Sequence, residues 1–336
     1  MTSLPQWARL SRRALSAYIR SMFTTLTSFA KPQPDTVAAA FLLRKFGEEK
    51  FPGISTAKAE FWTRLPVGAT WESLEEQGII LIDLGGGRFD HHRTQENGKP
   101  QQCATELVAA ELGLTDDPAL KKLIAYARRD DLEGKGTVSS DPLDRAFGLS
   151  GLLTNLNKAY SDDLAGVTGI VLAMFGAHYQ EEENRTKIMP TEWRRLTLSG
   201  EELQWAHPHK QESLRVAQLR SDNSGFPGFL KAYHKFDIVI IRRTTGHVNI
   251  ITSQSKDIDL APVAAWIRGM TMQHKGVDAI SSHTLHAPGK IDEVPEWYYD
   301  TAANTLQNGG VRPEGIEPTV LNDEQIAQAL RKGLQS

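Results

Sequence analysis

The stretch Leu81-Ile82-Asp83-Leu84-Gly85-Gly86-Gly87-Arg88-Phe89-Asp90-His91-His92 decides how this chain reads. The apolar run from Gly78 to Leu84 predicts a buried strand, and the glycines after it predict a turn at its carboxyl end. Asp83 at the strand end, followed by Asp90, His91 and His92, would bring carboxylate oxygens and imidazoles to one sheet edge. An oxygen-rich set with some imidazole suits Mn²⁺, with Mg²⁺ or Fe²⁺ as alternatives, whereas zinc usually takes more nitrogen or sulfur. The bland alternative is a glycine turn followed by a surface Asp-His-His.

Upstream, Phe23 to Phe29 alternates β-formers and leads through Lys31-Pro32-Gln33-Pro34-Asp35 into a helical run, Thr36 to Phe46. Pro34 suits a first helical turn, and Asp35 lies where a helix dipole favours a carboxylate. A strand near Phe61 to Leu65 and a helix near Trp71 to Glu76 complete a strand and helix alternation. That order predicts an α/β fold with a mainly parallel sheet, whose ligands bind beyond the carboxyl ends of the strands. Asp35 and Asp83 both fall at that edge.

From about Gln102 to Glu183 the pattern is mostly helical, with Asp117-Pro118 and Asp141-Pro142 as cap and first-turn pairs. Glu181 to Lys187 reads as a solvated connection. Beyond it, Leu214 to Leu219, Phe236 to Arg242 and His247 to Thr252 read as strands, and Gly225 to Tyr233 and Leu260 to Gly269 as helices. The tail after Val277 reads as Pro- and Gly-rich up to a last helix, Asp323 to Leu334. The expected organisation is a basic extension over 1–21, a metal-bearing domain over 22–185, and a smaller α+β domain over 195–336 that selects the substrate.

Composition narrows the chemistry. The 336 residues are 40% hydrophobic and 24% charged, an ordinary globular balance, and no apolar run is long enough to span a bilayer. One cysteine, Cys103, excludes a disulfide framework or a multi-cysteine zinc site, so metal chemistry falls to carboxylates and histidines, and a reducing, cytoplasmic compartment is expected. The net charge of -3 argues against a long duplex nucleic acid as partner. Arg9, Arg12, Arg13, Arg20 and Lys31 precede the first acidic residue, Asp35, so residues 1–21 read as a solvated basic extension or as an organelle transit peptide.

The metal motif resembles that of the DHH phosphoesterase superfamily, and most closely its Myg-type exonuclease branch. There an apolar strand ends in Asp, a glycine pair follows, and Asp-His-His comes shortly after; Asp83, Gly85, Gly86, Asp90, His91 and His92 match. Thr27, Ser28, Gln33, Asp35 and Ala38 to Ala40 fall on the first motif. Cys103 to Val108 resembles the small-residue helix start, and Asp130 or Asp131 the last acidic motif. The likeness runs over roughly residues 22–160.

It implies metal ligands at Asp35, Asp83, His91 and Asp130 or Asp131, with Asp83 bridging or holding the ions and His92 ligating or protonating the leaving oxygen. Where the family has two first-motif histidines, this chain has Ser28 and Gln33, neither a good transition-metal ligand. A single site, a pair of ions completed by water or Gln33, and no catalytic metal are all open.

Arg88, Arg93 and Lys135, the last between two glycines, are candidates for a substrate phosphate. So are the backbone amides of Asn308, Gly309 and Gly310, beside Trp297, Tyr298 and Tyr299 as a base-stacking platform. His207-Pro208-His209 and His283 with His286 have chelating spacings but few nearby carboxylates.

The expected activity is metal-dependent hydrolysis of a phosphodiester in a short oligonucleotide or a nucleotide second messenger. The rivals are a catalytically lapsed nucleotide- or RNA-binding protein and a phosphomonoesterase or pyrophosphatase on the same scaffold. The resemblance also implies a homodimer.

Overall fold

The computed structural model describes residues 22–94, 101–199, 203–209, 212–309 and 313–335. Residues 1–21, expected as a basic extension, lie outside the described residues. The fold is mixed α/β, and the chain divides into two compact units, Met1–Thr186 and Lys187–Ser336.

The first unit is built on a parallel sheet of β1 (Thr25–Phe29), β2 (Lys58–Trp62) and β3 (Ile79–Ile82) in the order β2-β1-β3. Between β1 and β2 runs α1 (Pro34–Phe46), and between β2 and β3 the short α2 (Trp71–Glu75). Pro34 occupies the first turn of α1, and Gln33 N–H donates to Thr36 Oγ1 at 3.0 Å to seal its start. The Ala38–Ala40 run leaves α1 thin enough to be buried on nearly every side, among Leu26, Ile80 and Ile82 of the sheet and the helices that follow. Those helices are α3 (Ala104–Glu111), α4 (Lys121–Glu133), α5 (Pro142–Phe147), α6 (Leu149–Ala159) and α7 (Leu164–Glu183). Strand β2 begins three residues earlier than the sequence pattern suggests.

The second unit carries a six-stranded sheet in the order β4-β5-β6-β7-β9-β8: β4 (Leu203–His209), β5 (Glu212–Arg220), β6 (Ile238–Arg242), β7 (Val248–Thr252), β8 (Trp297–Asp300) and β9 (Thr305–Asn308). Only β5 and β6 pair in parallel. Alternation along the strands sends Val216, Ile240, Ile250, Leu306 and Trp297 to one face, under α10 (Ala261–Lys275) and α12 (Asp323–Gln335). The other face puts Ala217, Leu219, Val239 and Ile241 under α8 (Met189–Ser199) and α9 (Phe226–His234). A short α11 (Ser282–His286) follows α10. Gly333 is required in α12, because a Cβ there would fall 2.6 Å from the backbone of Val263 in α10.

Two sequence readings change here. Glu181 to Lys187 is helical, with a π turn over Asn184–Ile188, and Glu182 is buried against Lys122 at 2.8 Å, not solvated. The segment read as a Pro- and Gly-rich tail contains the last two strands of the sheet. Trp297 and Tyr299 face the core and only Tyr298 is exposed, so the aromatics do not form a stacking platform.

Asn308 is likewise structural in its side chain. Fully buried, its amide donates to the carbonyls of Glu296 (3.2 Å) and Glu317 (3.1 Å) and accepts from Thr319 N–H (2.9 Å), tying the returning chain to β9. Asn308→Ala removes the partner of one buried and two partly buried backbone groups and should cost about 1–3 kcal/mol. The measurement is a urea midpoint, which should fall while the slope stays unchanged; a shift within error would show that those groups find other partners.

Candidate metal centre

Ile82 is fully buried in the core, and the chain turns sharply at the next residue, Asp83, whose φ of 53° is left-handed. Aspartate tolerates that region better than most residues because its short polar side chain can bond locally. Gly85 and Gly86 continue the turn at φ 75° and 69°, where a side chain would be strained. The loop is closed by its own bonds. Asp83 N–H donates to Phe89 O at 3.0 Å, and Asp90 accepts from Gly86 N–H (2.7 Å) and His92 N–H (3.0 Å). Phe89, almost wholly buried against Phe51, anchors it to the core. The sequence Asp-Leu-Gly-Gly-Gly-Arg-Phe-Asp-His-His therefore folds back so that its last residues face its first.

Two helices bring the other acids. Asp35, in the first turn of α1, accepts from Ala104 N–H (2.9 Å) and Thr105 N–H (2.8 Å), one amide on each carboxylate oxygen, at the start of α3. Thr105 Oγ1 donates back to Asp35 O at 2.8 Å. Near the end of α4, Asp131 turns toward His91.

Ligand atoms of Asp83, His91 and His92 lie within 4.8 Å of one another, and so do those of Asp35, His91 and Asp131. His91 belongs to both groups. Its Nδ1 stands 3.4 Å from Asp83 Oδ1 and 3.6 Å from Asp131 Oδ2, while His92 Nε2 stands 3.6 Å from Asp83 Oδ1. These separations exceed a good hydrogen bond. They match ligand atoms about 2.0–2.2 Å from a shared ion at angles of about 90–110°, which lie about 3–3.6 Å from each other. Asp83 Oδ1 and Asp131 Oδ2 are buried, and no hydrogen bond from the described residues reaches either. Buried carboxylate oxygens without donors are costly, and a cation is the partner that removes the cost. The donor set thus fits the divalent ion that the sequence implies.

The electrostatics point the same way. Burial, then Asp35, Asp90 and Asp131, push the Asp83 carboxyl up to about 8. Burial, then Asp35 and Asp130, push Asp131 up to about 7. Burial and then His92 push His91 down, against the pull of Asp35 and Asp90, which favours the neutral imidazole that ligates metals. Buried beside Asp35, the Cys103 thiol is pushed far up and is no nucleophile.

The centre opens into a cavity of about 950 Å³ whose floor includes Asp83, Asp90, His92, Asp130 and Asp131. Of the two adjacent acids on α4, helical phase gives Asp131 to the histidine cluster. Asp130 points instead toward Ser150 and Gly136, and burial is the main cause of its raised carboxyl. Ser28 faces a small cavity near Arg44 and Glu60, away from the centre, and Gln33 lines the main cavity outside both ligand groups.

The expected phosphate contacts fare differently. Arg88 is held in a fork by Glu75 at 2.8 and 2.6 Å and lies over Trp71 and Phe51, a brace for the glycine loop. Lys135 pairs with Glu133 at 3.6 Å and does not line the cavity. Gly309, at φ 81°, makes the close turn after β9 against His247 and Pro313. The side chain of Arg93, those of His207 and His209, and Gly310 lie outside the described residues. His283 and His286 on α11 join no metal-binding group among the described residues.

Sequence reasoning missed one wall of the cavity. Ser150, Thr154, Asn157 and Lys158 follow helical spacing along α6 and line it together with Lys31 and Gln33, and Asn157 Nδ2 donates to the carbonyl of Pro32 between those two at 2.8 Å. Lys31 and Lys158 make no side-chain hydrogen bond or ion pair among the described residues, so their charges are available to an anion. The i, i+4, i+7, i+8 spacing of polar residues on α6 was the available signal.

No family model matches this chain, and no curated protein does. Among solved structures, an uncharacterized protein from Helicobacter pylori G27 is similar over 93% of this chain and 99% of its own, at 11% identity and a TM-score of 0.25. A TM-score that low carries no inference about fold or function.

The crowded acids set a pH dependence. Unfolded aspartates titrate near pH 4 (roughly 3.9), whereas Asp83 and Asp131 in the fold titrate at about 8 and about 7. Between those limits the folded chain holds more protons, so without metal its stability is highest below about pH 4 on this account and falls as pH rises toward 8. Asp83→Asn should flatten that slope and raise the melting temperature most at pH 8. Thermal unfolding in EDTA across pH 5 to 9 checks it, and an equal slope in variant and parent would refute the crowding.

Proposed function

We propose that the first unit binds a divalent cation, Mn²⁺ in the first instance, and hydrolyses a phosphodiester in a short oligonucleotide or a nucleotide second messenger. The observation that carries this reading is the pair of buried, donor-less oxygens, Asp83 Oδ1 and Asp131 Oδ2, facing His91 at ligand spacing at the foot of the cavity. Asp83, His91 and Asp131 would hold the ion, with Asp35 or His92 completing the set. When bound, the ion supplies Lewis-acid polarisation of a phosphoryl oxygen and lets the crowded acids ionise together.

The chain's own groups divide the remaining work. Lys31 and Lys158 would take the charge of the substrate's phosphate, work that in two-metal enzymes falls partly to the second ion. This suits a chain whose Ser28 and Gln33 stand where the resembling family has imidazoles. His92, exposed and on the cavity floor, is placed to hand a proton to the leaving oxygen. Asp90 holds the loop that presents both histidines. The cavity is of small-ligand size, toward the upper end of roughly 300–1,000 Å³, which supports a nucleotide or dinucleotide over a duplex. No helix among the described residues is long and apolar enough to cross a membrane.

The test is Mn²⁺-dependent cleavage of dinucleotides, short RNA, short DNA and cyclic dinucleotides. Asp83→Ala and Asp131→Ala should each lower kcat/KM by at least about 100-fold, the equivalent of about 3 kcal/mol of transition-state stabilisation. Lys158→Ala should act mainly by raising KM, and Asp130→Asn should cost much less than Asp131→Asn. Full activity in Asp83→Ala, or in metal-free protein, would overturn the proposal; nucleotide binding without cleavage would favour the non-catalytic reading.

A further inference from the structure

In the second unit, α8 and α9 cover β5 and β6 on one face of the sheet. Next to them, on the same face, β7 and β9 present Asn249, Ile251, Thr305 and Gln307 around a recess of about 170 Å³. Pro227 from the first turn of α9 and Ile241 from β6 close its other side, and Arg243 stands at its edge.

Asn249 is the anomaly. It lies mid-strand in β7, paired with Ile241 of β6 and Gln307 of β9, at a position where this face is otherwise apolar in β5 and β6. Its side chain is 8% exposed and makes no hydrogen bond among the described residues, and its Oδ1 is buried without a partner. An unpaired buried amide is destabilising, and a leucine of nearly the same shape would avoid that. The opposed Gln307 gives one Nε2 N–H to Thr305 Oγ1 at 2.8 Å, which leaves its second N–H to donate and its Oε1 to accept.

We infer that this recess is a nucleobase slot, in which the carboxamides of Asn249 and Gln307 read the hydrogen-bonding edge of a flat heterocycle lying between Ile241, Ile251 and Pro227. Each carboxamide offers a donor beside an acceptor, the pattern that base edges present, and such amides pair bidentately with adenine. The recess is smaller than the roughly 300 Å³ at which drug-sized sites begin, so it takes one ring system and leaves a sugar outside. An anion site is disfavoured: among the described residues Arg243 is its one cation, and the Asp222 carboxylate, bound to Thr244 N–H (3.0 Å) and Oγ1 (2.7 Å), shares the lining. The inference stands on the second unit alone and needs neither the metal nor cleavage.

The experiment titrates the full chain, in EDTA, with adenosine, guanosine, cytidine and uridine, following the side-chain amide resonances of Asn249 and Gln307. At least one nucleoside, adenosine first, should shift both amides with a dissociation constant below a millimolar. Asn249→Leu should keep or raise the melting temperature yet weaken that binding at least tenfold. Absence of binding by all four, binding unchanged in Asn249→Leu, or shifts that spare both amides would overturn the inference. If Asn249→Leu does not fold, Gln307→Leu, at a partly exposed position, decides instead: it should weaken the binding at least tenfold, and unchanged binding overturns the inference. Because no metal is present, loss of nucleoside binding is distinct from loss of phosphodiesterase activity.

Discussion

Asp35, Asp83, Asp90 and Asp131 crowd around a largely buried imidazole, and the first unit is arranged around making that crowding tolerable. Two like charges 4 Å apart repel by about 4 kcal/mol at the effective dielectric of a protein surface, and by more in a drier interior. Two of the four acids are offset by backbone dipoles. Asp35 takes the first amides of α3 on both oxygens, and Asp90 takes those of Gly86 and His92. Asp83 and Asp131 each keep an oxygen without a donor, and both are pushed strongly upward. Motif identity alone would treat all four alike. Hydrogen bonding separates the acids that brace the centre from those left facing a common point.

That separation explains local features that would otherwise look incidental. Asp83 needs a left-handed backbone to leave β3 and aim its carboxylate inward, and the glycines after it let Asp90 reach back to Gly86. Arg88, which looks like a phosphate ligand because it flanks the motif, is forked by Glu75 and so holds the loop's outer side. Positive charge without an ion-pair partner among the described residues lines the cavity instead at Lys31 and Lys158.

How much of this was legible follows from how local each feature is. The strand ending at Asp83, the glycine turn, and α1 with Asp35 in its first turn depend on neighbours in sequence, and they were readable there. The choice between Asp130 and Asp131 depends on where α4 packs, which sequence spacing does not determine. The α6 wall is a helical polar stripe that only becomes meaningful once its outward face borders the metal cluster. In the second unit, β8 and β9 are four residues each, and the strand that β9 joins, β7, lies far away in sequence, so the segment resembled a tail. Asn308 and the aromatics of β8 then looked like ligand groups, although burial and three hydrogen bonds assign the asparagine side chain to the fold.

Asn308 and Asn249 show why burial alone does not distinguish structure from function. Both lie inside the second unit's sheet and both are at least nine-tenths buried. Asn308 bonds three backbone groups of the fold, one of them buried, so the fold explains its presence. Asn249 makes no hydrogen bond among the described residues, and its side chain lies between the apolar part of this face on β6 and the polar Gln307 of β9. The same criterion separates Asp90 from Asp83 in the first unit: a polar group whose bonds close within the chain supports the architecture, whereas one whose burial is left uncompensated points outward to a missing partner. Applied across both units, it selects Asp83 and Asp131 for a cation and Asn249 for a neutral donor–acceptor ligand, because ionised carboxylates call for positive charge and a carboxamide calls for paired hydrogen bonds.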